Sequence, residues 1–237
     1  NVETIITDLD LAFGTASLNF NQDGSGGILE ALNAPERVDA TLVERMMTKL
    51  GNKLSLLNGP GSVERELNIE SHAVEAILTA VRTSAPLIMV DVPNMWAPWV
   101  KSTLMNADEI VITATPELPS LRNAKNLLDL LKASRQNDRA PHLIINQVGI
   151  PKRPEIAPAE FAKALGTTPL AVIPHDPASF GLAQGNGQML FEVAPKSKVV
   201  EILSGIAPLL AGHQPVAAPK SKGGSLLSRL SLMKKKS

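Results

Sequence analysis

Leu87-Ile-Met-Val-Asp91-Val-Pro93 is the stretch whose reading decides the fold. Four apolar residues in succession suit a strand buried on both faces of a parallel sheet. The strand delivers a carboxylate at its carboxyl end, and Pro93 stops further ladder pairing. In open α/β sheets ligands bind at that edge, and an Asp placed there is positioned to hold Mg²⁺ beside phosphates. A second run, Thr4-Ile-Ile-Thr-Asp8-Leu9-Asp10, ends in the same way. Asp8 and Asp10 stand two apart, so on an extended chain their side chains point the same way. Two strands that bring acid to one edge predict a phosphate-and-metal site.

Working outward, strand-like and helix-like segments alternate, which predicts βα units and a mainly parallel sheet. Strands are expected over residues 4–8, 53–57, 87–92, 109–114, 142–147 and 170–173. Helices are expected over 40–50, 71–83, 98–106, 118–134, 158–165, 178–185 and 196–210. Ala124, Leu127, Leu128 and Leu131 recur at i, i+3, i+4 and i+7, so one helix face packs on the sheet. Residues 1–211 form the α/β domain, 212–224 read as a small, polar linker, and 225–237 as a basic amphipathic tail. Gln22–Gly27 reads as a mobile loop.

Composition narrows the function. The 237 residues carry 23 basic and 23 acidic side chains, so no global field attracts nucleic acid. The balance is uneven, since no acid follows Glu201 while Lys220, Lys222, Arg229 and Lys234 to Lys236 are basic. The absence of Cys excludes disulfides and thiolate metal sites and fits a reducing cytoplasm. No apolar run approaches the ~20 residues that span a bilayer. The four histidines share no metal-ligand spacing. Asn19 to Glu30 mimics a calcium loop but lacks the flanking helices that motif requires. Trp96 and Trp99 fit the core or an interface equally well. The tail is either a lipid-surface helix or a solubilising extension.

A phosphate-cradling loop of the form G-x-x-x-x-G-K-[ST] occurs nowhere in the chain. Even so, an ordered set of stretches resembles the ParA/MinD superfamily of deviant P-loop ATPases. Within it the closest likeness is to the CpaE/TadZ pilus assembly branch of Tad (Flp) systems. The stretches are Thr7-Asp-Leu-Asp-Leu-Ala-Phe-Gly14, Met89-Val-Asp-Val-Pro-Asn-Met-Trp96 and Ala107-Asp-Glu-Ile-Val-Ile-Thr-Ala-Thr-Pro116. Leu121-Arg-Asn-Ala-Lys-Asn-Leu127, Ile144-Ile-Asn-Gln-Val-Gly149 and Val172-Ile-Pro-His-Asp-Pro177 follow.

The resemblance implies a doubly wound, mostly parallel sheet of the P-loop NTPase type, without the first strand, P-loop and helix. The front end is therefore expected to be missing, and ATPase activity belongs to the intact protein. Asp10 is implied as the acid that positions attacking water, with Asp8 beside Mg²⁺ and Asp91 reaching Mg²⁺ through water. Asn146 is implied to read the adenine edge of ATP, with Pro174 and Asp176 lining the base pocket. An Asn amide suits that task because it offers a donor and an acceptor together. The implied partners are a second copy in an ATP-closed homodimer and proteins of the pilus secretion machinery. The implied location is cytoplasmic, with the tail reaching the inner membrane or cell pole. Two alternatives stand beside this: a non-hydrolysing scaffold of the same fold, and a partition-type ATPase binding DNA non-specifically.

Overall fold

The computed structural model describes residues 2–22, 27–59 and 68–212. The chain runs β1 (Thr4–Asp8), α1 (Ala16–Asn19), α2 (Ile28–Asn33), a 3-10 turn (Pro35–Arg37), α3 (Ala40–Met46), β2 (Thr48–Lys49) and β3 (Leu54–Asn58). It continues through α4 (Ser71–Arg82), β4 (Leu87–Asp91), α5 (Pro98–Met105), β5 (Val111–Ala114), α6 (Leu118–Ser134) and β6 (His142–Val148). The last elements are α7 (Pro158–Leu165), β7 (Pro169–Pro174), α8 (Pro177–Asn186), α9 (Leu190–Val193) and α10 (Lys198–Leu210).

The strands form two ladders, ordered β2-β3-β1-β4 and β5-β6-β7. All pairings are parallel except β2 with β3, where Thr48 faces Leu56 and Lys49 faces Ser55. This α/β architecture with its mostly parallel sheet is the one expected from the alternation of segments. One expected helix is shorter: residues 47–50 leave α3 at Met47, whose extended backbone feeds β2. Pairing across the short connection to β3 overrides the helical propensity of that end.

Amphipathic helices cover the sheets. Ala73, Val74, Ile77, Leu78 and Val81 of α4 are buried against Ile5, Leu9 and Leu57. Asp39 caps α3 by accepting from the Leu42 amide at 2.7 Å, which satisfies one free donor of the first turn. In the second sheet, Leu128 and Leu131 of α6 and Phe161 and Leu165 of α7 close one face around Leu143 and Ile145. Full burial stabilises each such side chain by roughly 1.5–3 kcal/mol. The other face packs Ile144, Ala171 and Ile173 on Val199 and Ile206 of α10. Gly166 ends α7 at φ 62°, a left-handed cap that glycine adopts without strain.

The expectation that β4 is buried on both faces does not hold. Ile88 and Val90 pack on the core, but Met89 is 54% exposed and Asp91 is exposed as well. The reason is topological, because β4 has a neighbour on one side only and ends the first sheet. The linker and tail (213–237) and most of the expected mobile loop (23–26) lie outside the described residues. The two tryptophans part company: Trp99 is 3% exposed in the core and Trp96 is 58% exposed.

Phe161→Ala removes a side chain with no exposed surface and should cost about 3–5 kcal/mol. Thermal denaturation should show the midpoint falling by at least about 6 °C. Phe180→Ala, at a position 39% exposed, should stay within about 1 kcal/mol of the parent.

Candidate functional site

The carboxyl ends of β1, β3 and β4 align, with Asp8 opposite Asn58 on one side and Asp91 on the other. Register partners of neighbouring parallel strands share a sheet face at a backbone spacing of about 4.8 Å. Asp8 is 2% exposed, and its carboxylate organises the chain that follows. One oxygen accepts from the Asp10 amide at 2.9 Å and the other from the Ala16 amide at 3.2 Å. The chain turns back so closely that a Cβ on Gly14 would lie 2.4 Å from both Asp8 Oδ2 and the Asp10 carbonyl oxygen. Only glycine fits there.

That turn corrects the extended-chain argument for Asp8 and Asp10. Strand β1 stops at Asp8, and Asp10 lies in the turn with its Oδ1 accepting from the Phe13 amide at 3.0 Å. The two acids are linked through the backbone amide of Asp10, not by alternation along a strand. Asp and Asn side chains that bond amides two or three residues onward favour turns for this reason.

Asp91 differs from both. Its backbone carbonyl accepts from the Leu9 amide at 2.9 Å, while its carboxylate has no hydrogen-bond or ion-pair partner among the described residues. Partial burial pushes its pKa above the ordinary carboxylate value, and the charges of Asp8 and then Asp10 push it further. The three acids therefore share one negative field at the rim. Beside them the buried Asn58 Oδ1 has no partner among the described residues, although Nδ2 donates to the Gly59 carbonyl at 2.7 Å.

Among the described residues no group of three or more His, Cys, Asp or Glu is arranged to enclose a metal ion. Mg²⁺ does not need such a cage, since it keeps several waters and takes one or two carboxylates plus phosphate oxygens. Asp91, with no side-chain partner among the described residues and two carboxylates bearing on it, fits that donor set.

The other sequence-derived residues gather at the carboxyl end of β6 and β7. Val148 pairs with Pro174, and the His175 amide donates to the Val148 carbonyl at 2.8 Å. Asn146 sits beside a ladder irregularity, its Oδ1 accepting from the Gln147 amide at 2.8 Å, with Gln147 at φ 58°. Asp176 caps α8 by accepting from the Ser179 amide at 3.0 Å, and that bonding lowers its pKa. Its first structural role is thus helix capping.

Sequence reasoning missed a clasp beside this edge. Glu155 accepts from the Gly149 and Ile150 amides at 2.9 and 3.0 Å and pairs with Arg153 at 2.9 Å. These bonds hold its carboxyl below the usual range, the Gly149 amide contributing most. Arg153 also donates to the Gln147 carbonyl and faces Glu117 at 3.5 Å, tying the loop after β6 to the start of α6. Gly149 with Arg153-Pro-Glu155 a few residues after it is the signal the sequence offers, and Gly149 takes φ 89° in the structure.

No protein-family model matches the chain, and no curated protein sequence does. Solved structures do. A ParA family ATPase from Chlorobium tepidum TLS is 26% identical, with a TM-score of 0.76 over 90% of this chain and 86% of that one. MinD of Aquifex aeolicus, in its MinC:MinD complex, is 18% identical at TM-score 0.71, covering 92% of this chain and 87% of that one. The septum site-determining protein MinD of Pyrococcus horikoshii OT3, complexed with Mg-ADP, is 19% identical at TM-score 0.66, covering 89% and 82%. The structural neighbours of this chain are thus ParA/MinD family ATPases, and its fold is theirs. No described helix is long and apolar enough to cross a membrane.

Two substitutions check the rim. For Asp91 the folded state binds the proton more tightly than the unfolded state, so this residue costs stability as pH rises through its raised pKa. Asp91→Asn should therefore match the parent in acid, below the ordinary aspartate value of 3.8. At neutral pH it should melt about 1–2 °C higher, for a screened repulsion of roughly half a kcal/mol. Gly14→Ala should lower stability by about 1–3 kcal/mol, because backbone and a buried carboxylate must both move.

Proposed function

We propose that this chain forms the greater part of a ParA/MinD-type ATPase that serves a Tad-type pilus as an ATP-dependent switch. The observation that carries the reading is the convergence of Asp8, Asp10 and Asp91 at the carboxyl edge of a parallel sheet. Phosphoryl transfer needs charge neutralisation and in-line placement of water more than covalent chemistry. Two carboxylates held by backbone amides beside a third with no partner among the described residues suit it.

Asp91 and Asp8 are the residues that would hold Mg²⁺, Asp91 through its free carboxylate and Asp8 through lone pairs left beyond its two amide bonds. Bound Mg²⁺ supplies the positive charge that balances the phosphates. Asp10, fixed by its bond from the Phe13 amide, orients the attacking water. Asn146 reads the adenine edge, while Pro174 and the remaining acceptor capacity of Asp176 border the base. The Arg153–Glu155 clasp keeps that loop in place.

ATP closes two copies into a dimer, and hydrolysis loosens it. Such a switch works through differential affinity for two states. The pilus role rests on the stretches around Asp10, Asp91, Asn123 and Asn146 that resemble the CpaE/TadZ branch. Residues 1–211 act as the ATPase domain, and the basic tail beyond the linker supplies contact with the cytoplasmic face of the membrane.

The test is a thermal-shift titration with ATP and Mg²⁺, on protein extended to carry the phosphate-binding loop that the resemblance implies. At a hundredfold excess over Kd, binding should add about 2.7 kcal/mol, raising Tm by roughly 5–10 °C. Asp91→Ala should remove the Mg²⁺-dependent part of that increment. No increment, or one untouched by Asp91→Ala, overturns the proposal.

A further inference from the structure

Asn58 ends β3 at the level of Asp8 on β1 and Asp91 on β4, since each neighbouring pair is in register. The three side chains therefore share one sheet face, one per strand, at a backbone spacing of about 4.8 Å. Asn58 is 2% exposed. Its Nδ2 donates to the Gly59 carbonyl at 2.7 Å, which only the NH2 side of an amide can do. That bond fixes which way the amide is turned, so Oδ1 is the atom left over.

Among the described residues two buried side-chain atoms lack a hydrogen-bond partner, this Oδ1 and Thr7 Oγ1. Alternation turns Thr7 to the opposite face of β1, so only Asn58 belongs to the acidic face. Native proteins leave few buried acceptors unpaired, because the hydration they give up is not recovered. The chain beyond Asn58 is fitted to the same place. A Cβ on Gly59 would lie 2.8 Å from Leu11 Cα, so β3 runs out directly against the turn that carries Asp10. Any side chain at position 59 would push that turn away. Leu57-Asn58-Gly59 lies outside every stretch that carries the family resemblance.

We infer that Asn58 is a third residue of the cation site, its Oδ1 accepting from a water of the ion held by Asp8 and Asp91. The inference rests on the reading of this rim as a Mg²⁺ site. Mg²⁺ keeps several of its waters, and a water polarised by a cation is a stronger donor. An amide oxygen meets that water without adding charge. A carboxylate there would be one more negative group beside Asp91, whose ionisation Asp8 and Asp10 already oppose. Asn58 is thus a positioning residue. With acceptors on both flanks of Asp8, the ion is kept over β1 and not drawn toward Asp91 alone.

The test uses the 237-residue chain without nucleotide, with the metal ion alone as probe. In a Mg²⁺ titration followed by side-chain carbon NMR, the Asn58 amide carbon should move downfield as its oxygen gains a hydrogen bond. Its midpoint should coincide with that of the Asp91 carboxyl carbon. Mn²⁺ takes the same oxygen ligands, and electron paramagnetic resonance gives its affinity. Asn58→Leu, close in shape but without the acceptor, should weaken Mn²⁺ binding about fivefold, the worth of one such bond. Asn58→Asp should bind Mn²⁺ about tenfold more tightly, and its lowered melting point should recover as the ion is added.

If Asp91 responds to Mg²⁺ and Asn58 does not, the inference falls while the cation site stands. If neither responds, the inference falls together with the cation site. A shifted melting point in Asn58→Leu with unchanged Mn²⁺ affinity makes the amide purely structural and also overturns it. So does an Asn58→Asp protein that binds Mn²⁺ no more tightly than the parent. The parent titration needs no variant, so it decides even where Asn58→Leu fails to fold. ATP plays no part in these measurements, so a protein indifferent to ATP that shows the Asn58 response would sink only the ATPase proposal.

Discussion

The gathering of three carboxylates at one sheet edge, where the charges of Asp8 and Asp10 bear on a partly buried Asp91, is the constraint on which this structure's chemistry depends. The fold places Asp8 and Asp91 side by side, because β1 and β4 are parallel neighbours whose last residues are in register. It then returns Asp10 toward them through a turn held by the Asp8 side chain. A protein selected only for stability has little reason to keep such a cluster, since each like charge raises the cost of ionising the next. The three differ in how they are held. Asp8 is buried and doubly bonded to backbone amides, Asp10 is anchored in the turn, and Asp91 has no side-chain partner among the described residues. That gradient from fixed to free suits a site that waits for a cation.

The second constraint is the divided sheet. A doubly wound fold buries its central strands on both faces, and β6 obeys, with Leu143, Ile144 and Ile145 all buried between two helical layers. Strands β4 and β5 do not, each being the last strand of its own ladder. Their exposure and the open groove they line are one feature seen twice. Of the candidate site residues Asp91 lines this groove, while Asn146 and Pro174 belong to β6 and β7 of the second ladder.

Much of this was legible in the residues. Helices α6 and α7 fall where apolar spacing puts them, because Pro at their first turns and Gly166 past the second mark the ends unambiguously. The acids after β1 and β4 were legible because Asp after an apolar run is conspicuous. What the sequence concealed was decided by tertiary context. Residues 48–49 read as helix but pair with β3. Helices α1, α2 and α9 are four to six residues long, too short to leave a periodic signal. Met89 reads as a core residue, and only topology shows that the strand ends a ladder. Asp176 reads as a ligand-facing acid, yet the same Asp-Pro step caps a helix.

The central claim is that Asp8 and Asp10 act on Asp91 through the field at this edge. Carboxyl carbon NMR of labelled protein, followed through an acid titration, tests it most directly. The Asp91 resonance should titrate above the ordinary aspartate value of 3.8 and move back toward it in Asp10→Asn. If Asp91 titrates at its ordinary value and takes no notice of Asp10→Asn, the three acids are independent surface groups and the account fails.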